Sequence, residues 1–189
     1  MNAAVRAARI LTDPFLEWTK IEKETGDAAY LLTSYVVVLA FIPAAFGFIG
    51  ACIVGVAVPG TGTLRAPIIE GLFGAAFGYV MSCATVLLLG LLIDLTAPLF
   101  GGRKNFDSAF KLAVYSFTPV WLAGIFLLAP GLRFIGLSGL YGAYLLWVGL
   151  PPLMKVPAGR IPLYTAAIVA CACVLVGIVG ALQHALFGL

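Results

Sequence analysis

Carboxylates are scarce in the apolar segments of this 189-residue sequence, and the two that occur there are far apart. Glu70 and Asp94 are separated by 24 positions, which is roughly 36 Å along a straight helix. They would therefore lie near opposite faces of a membrane, where neither could assist the other in proton transfer. We interpret both as helix-end acids that reach interfacial water, with a functional role as the alternative because intramembrane acids are costly.

Side chains for metal binding or nucleophilic catalysis do not form a convincing set. His184 is the single histidine, so neither a zinc-binding His pair nor a serine–histidine arrangement is convincing. The two closest cysteines are two residues apart, and on a helix they would point in nearly opposite directions. We expect no metal, no cofactor and no enzymatic activity. The four cysteines all lie in apolar runs: Cys52, Cys83, Cys171 and Cys173.

A proline and two tyrosines are the remaining candidates for a polar path through the apolar segments. Pro119 should kink its helix and free backbone carbonyls, which Ser116 or Thr118 could satisfy. Tyr141 and Tyr144 would border a solute path whose inner mouth lies near Asp94. Packing between helices is the alternative reading of these polar groups.

The composition requires that these residues be positioned by membrane helices. The sequence is 62% hydrophobic and 10% charged, and its mean hydropathy is +1.11, values that a water-soluble core of this size cannot accommodate. The 11 basic residues are scattered and the net charge is only +3, so we expect no nucleic-acid partner.

The gaps between charged residues predict an all-α, polytopic membrane helix bundle with five transmembrane helices. Each gap is long enough for one crossing of about 20 residues. Pro59-Gly60-Thr61-Gly62 should end the first span, and Pro130, Gly131 and Arg133 should join spans three and four tightly. Residues 1–29 would form an N-terminal segment, and residues 30–189 the membrane domain. The predicted spans are about 30–58, 69–92, 112–131, 134–154 and 162–187.

The distribution of basic residues predicts the orientation. Nine of the 11 Lys and Arg residues fall in segments on the side of the N-terminus, and two fall on the other side. The positive-inside rule therefore places the N-terminus in the cytoplasm and the C-terminus outside.

The N-terminal segment is predicted to form a short amphipathic helix on the cytoplasmic membrane surface. Pro14 suits a first turn after Asp13, Gly26 suits a stop, and Leu11, Phe15 and Trp18 share one face. An unstructured charged lead-in is the alternative. We expect a lipid- or partner-binding cytoplasmic face formed by Trp18, Arg103, Lys104, Lys155 and Arg160.

An ordered set of short motifs resembles the YIP family, the Ypt/Rab-interacting membrane proteins, and most of all its compact prokaryotic branch. The resemblance covers nearly the whole chain and implies five transmembrane helices with a cytoplasmic N-terminus. The motifs are Pro14-x-x-x-Trp18-x-x-Ile21, Phe100-Gly101-Gly102, Tyr115-Ser116-x-x-Pro119, Tyr141-x-x-Tyr144-Leu145-Leu146, Gly149-Leu150-Pro151-x-Leu153-Met154-Lys155-x-Pro157 and Tyr164-Thr165.

Small-GTPase binding, which the resemblance associates with eukaryotic relatives, is not carried over. About 29 residues precede the first span, whereas those relatives carry a long cytoplasmic region there. We expect a non-enzymatic membrane organiser or scaffold, in a prokaryotic inner membrane, with lipids and possible further copies or other membrane proteins as partners. The alternative is a channel or carrier for a small solute or ion, in an oligomer.

Overall fold

The computed structural model describes residues 3–24, 27–58, 62–128 and 135–188. This part of the chain consists of helices, short connecting loops and one two-stranded β-sheet. Two short helices precede five long ones. The helices are α1 (Ala3–Thr12), α2 (Pro14–Lys23), α3 (Ala28–Val54), α4 (Ile68–Thr96), α5 (Phe106–Ala123), α6 (Ile135–Met154) and α7 (Ile161–Phe187). The strands are β1 (Val56–Val58) and β2 (Gly62–Leu64).

Four of the long helical segments have the length and apolar character needed to cross a membrane. The prediction of a polytopic helical membrane protein is therefore confirmed. The fourth predicted span, about 134–154, corresponds to α6, which has 20 residues and no charged side chain. The four segments, with their 3₁₀ extensions, are Ala28–Val54, Ile68–Phe100, Phe106–Leu128 and Ala158–Phe187.

The first membrane helix ends earlier than the predicted residue 58. Helix α3 contains two π-helical stretches, Leu32–Val36 and Ile49–Val54, and ends at Gly55, whose φ is +78°. A Cβ at Gly55 would lie 2.6 Å from the Leu64 carbonyl oxygen, so this turn requires glycine. Strands β1 and β2 follow as an antiparallel pair, an element that the all-α prediction lacked. Three of the four predicted stop residues, Pro59-Gly60-Thr61, lie outside the described residues.

Helix α4 is longer than predicted at its C-terminal end. The charge gap placed its end at Leu92, but the helix continues to Thr96 and then as a 3₁₀ turn to Phe100. Asp94 therefore lies in the last α-helical turn, ahead of the 3₁₀ turn. The predicted tight link at Pro130, Gly131 and Arg133 lies outside the described residues.

Close helix contacts occur where a glycine faces another backbone. A Cβ at Gly124 would lie 2.7 Å from Pro43 Cα, and one at Gly142 would lie 2.7 Å from the Ser116 carbonyl oxygen. Gly74 is also buried, and its carbonyl accepts a hydrogen bond from Gln183 Nε2 at 3.2 Å. Gly177 differs from these glycines, because no described atom lies within 4 Å of a Cβ placed there.

The N-terminal segment is a helical hairpin packed on the bundle and not a single helix on a surface. Asp13 caps α2 through a 3.2 Å bond from the Leu16 N–H, and Pro14 begins the helix as predicted. Leu11 lies on α1 instead, and Phe15 is 63% exposed while Trp18 is 1% exposed, so these side chains share no face. The predicted stop at Gly26 lies outside the described residues.

Candidate functional site

Charged residues from α1, α2 and the chain after α2 form a buried network. The Arg6 guanidinium donates to Glu17 Oε1 at 2.6 Å and also to Glu24, and it lies 5.8 Å from the centre of the Tyr115 ring. The Arg6 and Glu17 side chains are only 7% and 2% exposed, and Lys20 bonds the second Glu17 oxygen at 3.3 Å. Burial lowers the pKa of Arg6, but the bond to Glu24 and the nearby negative charges raise it above its ordinary value. Arg6 thus stays charged and fixes the hairpin.

Trp18 anchors the same hairpin in the bundle core. Its ring meets Tyr115 edge-to-face at 6.1 Å, and a Cβ at Gly149 would lie 2.8 Å from Trp18 Cε2. The Trp18 ring therefore occupies the space into which a side chain larger than that of glycine at position 149 would extend. The prediction that Trp18 lies at the headgroups, in the exposed face, is therefore wrong.

The other four residues of the predicted cytoplasmic face are exposed and lie near one end of the bundle. We call this the basic end: the end where α4 stops, α5 begins, α6 stops and α7 begins. Lys155 is ion-paired to Glu22 of α2, and Arg160 donates to the Leu99 carbonyl at 3.0 Å. Arg103 and Lys104 make no side-chain ion pair with the described residues.

A polar cavity of about 420 Å³ opens between the hairpin and the start of α3, and we call it the N-terminal cavity. Its lining combines three cations with two carboxylates. Tyr30, Tyr35 and Tyr115 form much of the remaining wall, together with Ser34. The charged lining residues are Arg6, Lys23, Lys111, Glu24 and Asp27.

A second cavity, of about 410 Å³, lies between α3, α4, α5 and α7, and we call it the intramembrane cavity. Small residues such as Gly71 and Ala75 leave the space open. Its polar groups are already partly engaged: Trp121 Nε1 donates to Ser82 Oγ at 2.9 Å, and Gln183 reaches across from α7. The cavity is thus mostly apolar with a few hydroxyl and amide groups.

The two acids singled out by sequence lie in different surroundings. Glu70 is exposed in the first turn of α4, where a helix-end acid was predicted. Asp94 is only 5% exposed, and its Oδ1 has no hydrogen-bond partner among the described residues. The prediction that Asp94 reaches interfacial water is wrong.

The tyrosines and the proline serve helix contacts. Tyr141 donates to the Leu11 carbonyl at 2.6 Å, which ties α6 to α1, and its ring lies 5.6 Å from the half-exposed Tyr144. Pro119 is buried inside α5. None of these three residues, nor Asp94, lines either described cavity. The structure therefore brings the two tyrosines together, but it places none of the proposed solute-path residues at a described cavity.

The hydroxyls beside Pro119 differ from each other in what they bond. Thr118 Oγ1 lies 3.4 Å from the Val114 carbonyl and 2.9 Å from Tyr35 Oη. Ser116 Oγ has no hydrogen-bond partner among the described residues. The expected hydrogen bond from Ser116 to a carbonyl freed by Pro119 is therefore not formed.

The sequence of the chain matches a known family. The sequence profile of the Yip1 domain matches residues 8–180, from α1 through most of α7. The chain belongs to the Yip1 domain family. This confirms the resemblance drawn from the motifs.

Two curated relatives are similar to this Yip1-domain chain. Both are called inner membrane protein YohC, one from Escherichia coli strain K12 and one from strain O6:H1. Each is 28% identical over 152 residues, covering 78% of this chain and 77% of the relative. No solved structure matches the chain with significance.

Sequence reasoning missed the residues that hold the Yip1-domain hairpin in place. Arg6 and Glu17 are 11 positions apart and meet only because the chain reverses at Asp13 and Pro14. The signal that could have revealed the hairpin is the Asp13-Pro14 pair, which marks the start of a new helix and so separates α2 from α1. In the charge pattern, Arg6 counts only as one of the nine basic residues on the N-terminal side, which gives no indication of its partner.

Proposed function

We propose that this Yip1-domain protein is a non-enzymatic organiser of the inner membrane, with five spans and its N-terminus in the cytoplasm. Helix α6 is the additional span, since its 20 uncharged residues reach about 30 Å. The inner-membrane location is supported by the names of the two relatives. Membrane lipids, and further copies or other membrane proteins, would be its partners.

The observation that carries this proposal is the fixed hairpin at the basic end of the bundle. Helix α2 packs along α6, Trp18 is buried against Tyr115, and Arg6 is paired with Glu17. A carrier needs an open mouth on this side at some stage of its cycle. A buried ion pair and a buried tryptophan make this end a fixed binding surface instead.

The length of α4 supports a position of the basic end outside the hydrocarbon core of the membrane. Helix α4 has 29 residues, about 44 Å, whereas the hydrocarbon core is about 30 Å thick. The excess of roughly 14 Å lies at headgroup depth or beyond. Placed on the cytoplasmic side, it keeps Asp94 and the Arg6–Glu17 pair out of the hydrocarbon, where charges are costly.

The intramembrane cavity favours a second candidate function, a carrier or channel for a small, weakly polar solute. Its volume of about 410 Å³ is in the range of small-molecule sites, and Ser82, Thr85 and Gln183 provide hydrogen-bonding groups. In this case the solute would pass between α4 and α7, and not along Tyr141 and Asp94.

Reconstitution in liposomes distinguishes the two functions. Flux would be measured for a panel of ions, metals and small neutral solutes, with protein-free liposomes as the baseline. The organiser proposal predicts no saturable flux for any of them. Saturable flux that Ala75→Phe abolishes, by filling the intramembrane cavity, would overturn the organiser and establish the carrier.

A further inference from the structure

We propose that the N-terminal cavity binds the headgroup of a phospholipid that carries both a phosphate and a primary ammonium, as in an ethanolamine phospholipid. This inference rests on the proposed function and names the lipid class that the organiser recognises. It is carried by the charges that line the cavity, by their lack of partners and by the position of the opening.

The phosphate would lie between the two lysines of the cavity. Lys111 donates to the Glu24 carbonyl at 2.5 Å, which leaves two of its three ammonium protons for another acceptor. No carboxylate lies within ion-pair distance of Lys23 or Lys111 among the described residues. Two lysines without carboxylate partners around one cavity suit a single phosphate.

The ammonium would lie at Asp27. This carboxylate accepts one bond, from the Ala29 N–H at 3.1 Å, and no described lysine or arginine pairs with it. Glu24 lines the same cavity but already holds Arg6. Because a carboxylate has about four acceptor sites, Asp27 retains the capacity to bind an ammonium through charge-assisted hydrogen bonds.

Two of the three tyrosines in the cavity wall, Tyr115 and Tyr35, favour a primary ammonium over a quaternary one. A quaternary ammonium is recognised by open aromatic faces. Here the Tyr115 ring already has Arg6 over it, and Tyr35 meets the same ring edge-to-face at 5.1 Å. An ammonium that donates hydrogen bonds to a carboxylate fits this lining better.

The cavity opens where a lipid headgroup would reach it. Tyr30, Leu31 and Ser34 of its lining belong to the first turns of α3, the first membrane helix. Tyr30 is 65% exposed, as suits an aromatic side chain at headgroup level. A free solute needs no such position beside a membrane helix, whereas a lipid does.

Native mass spectrometry of the full-length protein in detergent tests the assignment. The probes are three phospholipids with identical short acyl chains and ethanolamine, choline or glycerol headgroups, plus water-soluble phosphoethanolamine. We expect the ethanolamine lipid to bind about fivefold more tightly than the other two, the effect of one exposed ion pair. We expect phosphoethanolamine alone to bind more weakly than the lipid.

Two variants and two matched controls locate the site. Asp27→Asn keeps the helix cap, since asparagine caps as well as aspartate, but removes the charge, so ethanolamine preference should disappear. The double variant Lys23→Gln/Lys111→Gln should weaken all three lipids by about fivefold or more. Arg65→Gln and Asp107→Asn change exposed charges outside the cavity and should leave binding unchanged.

Equal binding of the three headgroups, or a preference that survives Asp27→Asn, would overturn the assignment. Phosphoethanolamine binding as tightly as the lipid would overturn the lipid source and indicate a soluble ligand. If Asp27→Asn does not fold, the headgroup comparison on the unaltered protein decides. If the protein shows neither headgroup selectivity nor solute flux, the lipid assignment fails but the organiser function is retained. Saturable solute flux would overturn the organiser function itself.

Discussion

At the residue scale, the most informative feature is a buried ion pair between residues that are 11 positions apart in the sequence. Arg6 and Glu17 are almost fully buried, and a buried charge is tolerated only with a partner in good geometry. Single residues were predictable where their surroundings are local: Asp13 caps α2, and Glu70 lies in a first helical turn. The environments of Asp94 and Trp18 depend on distant helices and could not be inferred from neighbouring residues.

Arg6→Ala should destabilise the protein strongly, because it leaves Glu17 buried with only Lys20 as a partner. Breaking a buried pair costs about 3 kcal/mol, which for a chain of this size lowers the melting temperature by roughly 6–12 °C. The double variant Arg6→Met/Glu17→Met should recover most of the loss, since it removes both charges. Thermal unfolding in detergent measures both, with Arg103→Ala as the exposed control. A melting temperature for Arg6→Ala equal to that of the control would contradict the role of the pair.

At the scale of elements, helix positions could be predicted from charge spacing, but helix ends and the hairpin could not. Apolar length and uncharged gaps located the membrane helices, because the bilayer imposes that length on each crossing. Helix α3 ends at Gly55, whose φ is positive, and the last turn of α4 contacts α7, because the Tyr164 hydroxyl donates to the Ile93 carbonyl at 2.5 Å. The α1–α2 hairpin depends on a fit between Trp18 and Gly149 that appears only after folding.

Gly149→Leu should loosen the hairpin without removing any of its own residues. A Cβ there would lie 2.6 Å from Leu112 Cδ1 and 2.8 Å from Trp18 Cε2, so Trp18 must move. Overpacking of this kind costs about 1–3 kcal/mol. Amide hydrogen exchange of residues 3–24 should therefore accelerate by roughly 5- to 100-fold.

The matched control for this prediction is Gly159→Leu, because no described atom lies within 4 Å of a Cβ at that position. It should leave the exchange of residues 3–24 unchanged. Equal protection of the hairpin in the Gly149 and Gly159 variants would show that Trp18 does not depend on the space beside Gly149.

At the scale of the whole molecule, the protein is a helical bundle whose basic end is covered by its own N-terminal hairpin. Three contacts bring the parts of this end together: Arg103 N–H to the Met154 carbonyl at 2.8 Å, Lys155 to Glu22, and Lys111 to the Glu24 carbonyl. The family and the membrane class were predictable from motifs and composition. The closed basic end was not, because it arises from contacts between residues more than 50 positions apart.

The number of crossings is the central claim, since α6 decides whether both termini lie on one side. Reporters active only in the cytoplasm or only outside it would be fused before Met1 and after Leu189 of the full chain and expressed in a bacterial host. Five spans predict cytoplasmic activity at the N-terminus and external activity at the C-terminus. Cytoplasmic activity at both termini would mean an even number of crossings and would contradict the account.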